Sequence, residues 1–146
     1  MSDGVTRDRL VISNDTRFCG VVREFTSKMI KASALPPEIE NKIILAIDEA
    51  VSNIIEHGYE DQVEGTIEME ISFDASRFTV IIRDQGRQFD PSNIKPVDIL
   101  DHVRQGRKKG LGVFLMRQIM DEVKYIFKEG VQNELILVKY VNAKKA

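Results

Sequence analysis

The stretch that most constrains the fold runs from Ile43 to Tyr59 and reads IILAIDEAVSNIIEHGY. Its apolar residues recur at steps of three and four, as on a helix with one face in a core; they are Ile43, Ile47, Ala50 and Ile54. Glu49 and Asn53 are four residues apart, so they lie on one flank of that helix. Either they are solvated surface residues, or they present a carboxylate and an amide to a cleft.

Composition narrows the classes of protein to consider. With 146 residues, we expect one domain, residues 1–146, with a substantial core. The net charge of −2 gives no reason to expect direct nucleic-acid binding. The apolar runs are much shorter than a membrane span and no leader pattern is present, so we expect a cytoplasmic protein. Cys19, the single cysteine, is expected to be a buried structural thiol.

The order of the predicted elements indicates the fold class. Residues 1–8 are expected to be frayed, and the other elements follow as strand, two helices, two strands, a long loop, a helix and two strands. This order lacks regular βαβ alternation, so it predicts an α+β, two-layer sandwich: a mixed, mostly antiparallel sheet covered on one face by about three helices. The predicted strands are 9–13, 66–74, 77–84, 123–128 and 135–141, and the last helix is predicted from Gly110 to near Glu122.

Asp84 ends an apolar strand, which is an unusual place for an acid unless it has a partner. The amino group of adenine would be a suitable donor, and Gly86 would let the base or a water molecule approach the backbone. The alternative is a turn after the strand in which Asp84 acts as a cap.

Gly110-Leu111-Gly112 opens the last predicted helix. Free N–H groups and the helix dipole favour an anion there, and glycines let phosphate oxygens come close. Lys108 and its neighbours Arg107 and Lys109 would add positive charge, although a solvated basic loop would have the same composition. A dinucleotide fingerprint is a poor match, because the third glycine is missing and no strand precedes the motif.

These groups form a set sufficient for phosphoryl transfer from ATP. Asn53 has the neutral oxygen that suits a Mg²⁺ ion held mainly by phosphates and water. Glu49, one turn earlier, could accept a proton from an attacking hydroxyl or water. Phosphoryl transfer otherwise requires positioning and charge stabilisation more than covalent chemistry.

Three motifs resemble those of the Bergerat-fold, histidine-kinase-like ATPases: Asp48–Asn53 resembles the N box, Asp84-x-Gly86 the first glycine box and Gly110-x-Gly112 the second. Within that superfamily, Glu-Ala-Val-Ser-Asn followed by His57-Gly58-Tyr59 is most similar to the bacterial anti-sigma-factor serine/threonine kinases. The resemblance covers about residues 9–141.

The resemblance implies a stand-alone kinase domain that binds Mg·ATP under a flexible lid of about residues 86–110. It implies that Glu49 is the base, Asn53 the Mg²⁺ ligand, and Asp84 the reader of adenine. It also implies a homodimer that holds a sigma factor and phosphorylates a STAS-type anti-anti-sigma partner. The residues implied to contact the nucleotide are Asn53, Asp84, Gly86, Lys108, Gly110, Leu111 and Gly112.

One departure and two alternatives accompany this resemblance. Many relatives carry a Gly-Thr pair near the adenine in the last hairpin, whereas this chain has Asn133-Glu134. The chain would alternatively be a nucleotide-gated partner-switch module without significant kinase activity, or a stand-alone histidine-kinase-type ATPase that acts in trans. Glu49 favours the kinase, because an ATP-dependent clamp needs Asn53 but not the base.

Overall fold

The computed structural model describes residues 4–58, 65–85, 116–128 and 132–141. Short 3₁₀ turns at Thr16–Phe18 and Pro37–Ile39 precede the two long helices, and a further helical turn spans 116–119. In chain order, the elements are β1 Thr6–Ser13, α1 Cys19–Ala32, α2 Glu40–Asn53, a π-helical turn at Ile54–Gly58, β2 Thr66–Phe73, β3 Arg77–Asp84, β4 Glu122–Lys128 and β5 Gln132–Tyr140.

The strands form one sheet in the order β1-β2-β3-β5-β4, and each neighbouring pair is antiparallel. The last strand of the chain therefore lies inside the sheet, between β3 and β4. The α+β class predicted from the order of elements is confirmed. Within the described ranges, no helix combines the length and apolar character needed to span a membrane.

The core lies between the helices and one face of the sheet. The inward residues Ile71, Phe78 and Val80 are fully buried, and they share one apolar cluster with the inner faces of α1 and α2. Thr26 of α1 is also fully buried; its hydroxyl donates to the Val22 carbonyl and lies 3.9 Å from the Met69 sulfur of β2. The strict alternation of β2, and the spacing of Phe78, Val80 and Ile82 in β3, thus separate a core face from an outer face.

Local residues stabilise the starts of the turns that lead into both long helices. Asp15 accepts a hydrogen bond from the Arg17 backbone N–H, which caps the 3₁₀ turn that leads into α1. Pro37 opens the turn that leads into α2, where a missing N–H has no cost. Cys19, the first residue of α1, is buried as predicted.

Three boundaries differ from the predictions by about three residues, and three others differ by one residue. β1 begins at Thr6, because residues expected to be frayed pair with β2 along its whole length. β5 begins at Gln132 rather than at residue 135, because its first residues pair with both β4 and β3. The last helical turn ends at residue 119 rather than near Glu122, because Glu122 already belongs to β4. Directly before β4, the backbone N–H of Asp121 donates to the Val138 carbonyl of β5. In each case long-range pairing overrides a locally weak pattern.

An ion-pair cluster lies on the outer face of the sheet and consists of Arg83 with Glu68, Glu70 and Glu134. The Arg83 guanidinium contacts these carboxylates at 2.9, 3.0 and 2.9 Å, respectively. Burial acts to lower the pKa of Arg83, but its hydrogen bonds to Glu134 and Glu70 and the nearby negative charges outweigh burial and raise the pKa. The cluster therefore joins β2, β3 and β5 at the end of β3.

The β2–β3 hairpin leads to a prediction on pH dependence. Asp74 accepts hydrogen bonds from the backbone and hydroxyl of Ser76 and from the backbone of Arg77, and these lower its pKa below the usual 3.8. Because the folded-state pKa is depressed, this contribution to stability is present above pH 3.8 and is lost as the pH falls through the folded-state value. We expect Asp74→Asn to be less stable than the wild type at neutral pH, and the difference to shrink between about pH 5 and about pH 2. Urea unfolding across that range measures it; a difference independent of pH would contradict the role given to the charge.

Candidate functional site

Asn53, the last residue of α2, is buried with only 2% of its surface exposed. Its side-chain Nδ2 has no hydrogen-bond partner among the described residues. Leaving a buried polar group unsatisfied costs about 1–3 kcal/mol, so such a group in a native fold needs an explanation. Asn53 is therefore not a solvated surface residue. Glu49, one turn earlier on the same flank, is half-buried.

The helix changes form immediately after Asn53. Residues Ile54–Gly58 form a π-helical turn, and the N–H of Ile54 bonds to the carbonyls of both Ala50 and Val51. The predicted helix does continue to Gly58, but its last turn is π rather than α, because apolar periodicity does not distinguish an α turn from a π turn. π turns are rare and are found frequently at functional sites.

Asp84, the last residue of β3, is 4% exposed and has a cross-strand partner. Asn133, directly opposite on β5 and 5% exposed, donates from Nδ2 to Asp84 Oδ1 at 3.2 Å. The acid is buried as expected, and its partner in the structure is the side chain of Asn133; adenine as a donor to Asp84 stays a prediction. The partner is a neutral amide, which supports the carboxylate without pairing its charge.

Asn133 is the residue that the sequence predictions missed. They identified Asn133-Glu134 only as a departure from relatives and began the strand two residues later. The available signal was the alternation of Asn133 with Leu135 and Leu137, all three of which are buried on the inner face. Extending that period backwards places Asn133 on the face that carries Asp84.

The C-terminal end of α2 lies at the same end of the sheet as Asp84. Ser52 Oγ is 3.8 Å from Cys19 Sγ, which places the end of α2 against the start of α1. Just before α1, the Asn14 N–H donates to the Gly65 carbonyl at 3.1 Å, and Gly65 directly precedes β2. β3 ends opposite this start of β2. The buried amide of α2 and the buried carboxylate of β3 therefore belong to one end of the molecule.

The other predicted site residues lie outside the described residues. They include the segment predicted to be a lid, about residues 86–110, and the motif predicted to open a helix. Of that helix the structure describes 116–119, where Met116 is fully buried. The residues outside the description are Gly86, Lys108, Gly110, Leu111 and Gly112, together with the side chain of His57.

Comparison with known proteins shows the family to which the chain belongs. The sequence profile of the histidine kinase-like ATPase domain matches residues 12–139, most of the chain. The chain therefore belongs to the histidine kinase-like ATPase family. The resemblance to this superfamily, predicted from the three motifs, is confirmed.

Individual relatives narrow the resemblance further. The serine-protein kinase RsbW of Bacillus velezensis is 28% identical over 149 aligned positions, which cover 99% of this chain and 92% of the relative. The protein of the same name from Listeria monocytogenes is 31% identical over 105 positions, covering 69% of this chain and 66% of the relative. That of Bacillus thuringiensis is 32% identical over 101 positions, covering 66% of this chain and 61% of the relative. The chain thus spans just under two thirds of the length of the Listeria protein. All three of these relatives are named as serine-protein kinases.

Proposed function

We propose that this chain is a Mg·ATP-dependent serine/threonine protein kinase that also acts as an anti-sigma factor. The observation that carries the proposal is the pair of buried polar residues, Asn53 and Asp84, at one end of an ATPase-family fold. The similarity to serine-protein kinases favours a protein hydroxyl over water as the acceptor of the phosphoryl group.

The residues present fit a nucleotide and a magnesium ion. Asp84 is a buried acceptor suited to the amino group of adenine, and the Asn133 amide supports it. The Asn53 amide is buried, and its nitrogen has no hydrogen-bond partner among the described residues, as expected where a ligand completes the site. Its oxygen would hold a Mg²⁺ ion whose other ligands are phosphates and water. ATP supplies the transferable phosphoryl group, and the metal offsets its negative charge.

The remaining nucleotide contacts are proposals from the motifs. Lys108 would contact a phosphate, and the backbone of Gly110–Gly112, with Leu111 between the glycines, would approach the phosphate oxygens. Gly86 would allow close approach near the base. We place these residues at the two ends of a lid over the nucleotide, within one kinase domain.

Glu49 is proposed as the general base. Its half-buried carboxylate lies one helical turn before Asn53, on the flank that adjoins the site. Accepting the proton from the attacking serine or threonine hydroxyl would keep negative charge on the oxygen as the bond to phosphorus forms. A module that only binds nucleotide would not need this group.

The partners are proposed on the resemblance to anti-sigma-factor kinases. The protein would hold a sigma factor, release it when a STAS-type anti-anti-sigma partner binds, and phosphorylate that partner. We also propose that it is a cytoplasmic homodimer.

The test is incubation of the purified protein with radiolabelled ATP, magnesium and a STAS-domain protein from the same genome. We expect label on the STAS protein that survives acid and hydroxylamine, as a phosphoserine or phosphothreonine ester does. Acid-labile label would indicate phosphohistidine and a histidine-kinase-type ATPase acting in trans. Nucleotide-dependent binding of a sigma factor without any transfer would indicate the partner-switch module instead.

A further inference from the structure

We propose that Asn133 is a positioning residue that sets how strongly this site discriminates adenine from other purine bases. The inference rests on the proposed function, because it concerns how the site reads its nucleotide. It concerns Asn133, the residue directly opposite Asp84 in the sheet.

Asp84 and Asn133 face each other across β3 and β5, and both are at least nine-tenths buried. The hydrogen bond from Asn133 Nδ2 to Asp84 Oδ1 holds one oxygen of the carboxylate, at 3.2 Å. With that oxygen held, the plane of the carboxylate is set, and so is the direction from which Oδ2 can accept a hydrogen bond. Asn133 thus acts on a base through Asp84.

The register of β3 and β5 fixes which residues face each other at this end of the sheet. The neighbouring rung pairs Arg83 with Glu134 on the outer face, and the two side chains are joined by a 2.9 Å ion pair. Arg83 also contacts two carboxylates of β2, so the end of β3 is tied to both of its neighbours. A one-residue slip would move Asn133 to the outer face and break both rungs. The register of β3 and β5, which is set by backbone pairing from Arg77–Tyr140 to Asp84–Asn133, therefore keeps the amide opposite the carboxylate, and the ion pair lies on the other face of the sheet.

The purine bases differ in the group that they would present to the Asp84 carboxylate. Adenine presents an amino group, which can donate to a carboxylate oxygen, whereas hypoxanthine presents a carbonyl at the same position. A carbonyl facing the Asp84 carboxylate leaves two acceptors opposed, and sites built to hydrogen-bond a ligand strongly reject analogues that cannot. The strength of that rejection depends on how firmly the carboxylate is held, which is the role assigned to Asn133.

The experiment is a cycle of two nucleotides and two proteins. Affinities of Mg·ATP and Mg·ITP are measured by titration calorimetry for the wild type and Asn133→Ala, with no phosphoryl acceptor present. We expect the wild type to bind ATP at least about tenfold more tightly than ITP. In Asn133→Ala, ATP affinity is expected to fall about five- to tenfold, while ITP affinity changes less than about twofold.

Glu134→Gln is the matched control, because it alters the next residue of the same strand but on the outer face. It is expected to leave the ATP-to-ITP ratio unchanged, even if it lowers the melting temperature. Asn133→Thr, which supplies a hydroxyl donor, is expected to retain part of the selectivity and provides a second test if Asn133→Ala does not fold.

The outcomes separate this inference from the proposed function. Equal loss of ATP and ITP affinity in the Asn133 variants would show a structural role only and would overturn the inference. A wild type that binds ATP without preference over ITP would also overturn it, and leave the proposed kinase standing. Failure of the wild type to bind ATP at all would overturn the proposed function and the inference together.

Discussion

Replacing Glu49 by glutamine is expected to slow phosphoryl transfer by about 10²–10⁴-fold while changing Mg·ATP affinity by no more than about threefold. Glutamine keeps the size and polarity of the side chain but cannot accept a proton. Glu49 is half-buried and lies one helical turn before Asn53 on α2, so the substitution removes the proposed base. Single-turnover transfer of radiolabel to the STAS partner measures the rate, and calorimetry measures nucleotide affinity.

Glu40→Gln is the matched control for that experiment. It makes the same chemical change at the first residue of α2, where the carboxylate contacts Ser27 at 2.6 Å and Lys31 at 3.4 Å. Transfer by this variant is expected to match that of the wild type. Normal transfer by Glu49→Gln would exclude Glu49 as the base, while leaving ATP binding by Asn53 and Asp84 open to its own test.

Replacing Asn53 by alanine is expected to weaken Mg·ATP binding by about tenfold or more, with little loss of stability in the nucleotide-free protein. The affinity falls because the substitution removes the proposed magnesium ligand. The stability is nearly kept because the buried Nδ2 lacks a hydrogen-bond partner among the described residues, so truncation relieves a desolvation cost that offsets lost packing. Calorimetry with Mg·ATP and urea unfolding without nucleotide measure the two effects separately.

Asn41→Ala is the control on the same helix, because Asn41 is exposed. It is expected to change neither nucleotide affinity nor stability by more than about 0.5 kcal/mol. If Asn53→Ala instead bound Mg·ATP normally, the metal role would be wrong. If it lost several kcal/mol of stability without nucleotide, the amide would have a structural role in the fold rather than a functional one.

The parts of the site that depend on local pattern could be predicted from the sequence. Helical periodicity placed Glu49 and Asn53 on one flank of α2, and the position of Asp84 after an apolar strand indicated a buried acid. Both inferences rest on side-chain direction, which follows from the backbone period of a helix or strand. The structure confirms that Asn53 and Asp84 are buried.

The partner of Asp84 could not be predicted in the same way. Asn133 is 49 residues away along the chain, and its position depends on β5 inserting between β3 and β4. The π-helical turn after Asn53 was also missed, since apolar spacing over one turn fits either helix geometry. Both features arise from how distant elements pack rather than from local preference.

The sequence alone thus determined which residues of α2, β2 and β3 face inwards and which superfamily motifs the chain carries, because these depend on side chains close together in the chain. Only the tertiary structure decided the strand order, the start of β1 at Thr6 and the Asn133–Asp84 hydrogen bond. Strand pairing joins residues far apart in sequence, and the free energy of each pair depends on the whole sheet being assembled.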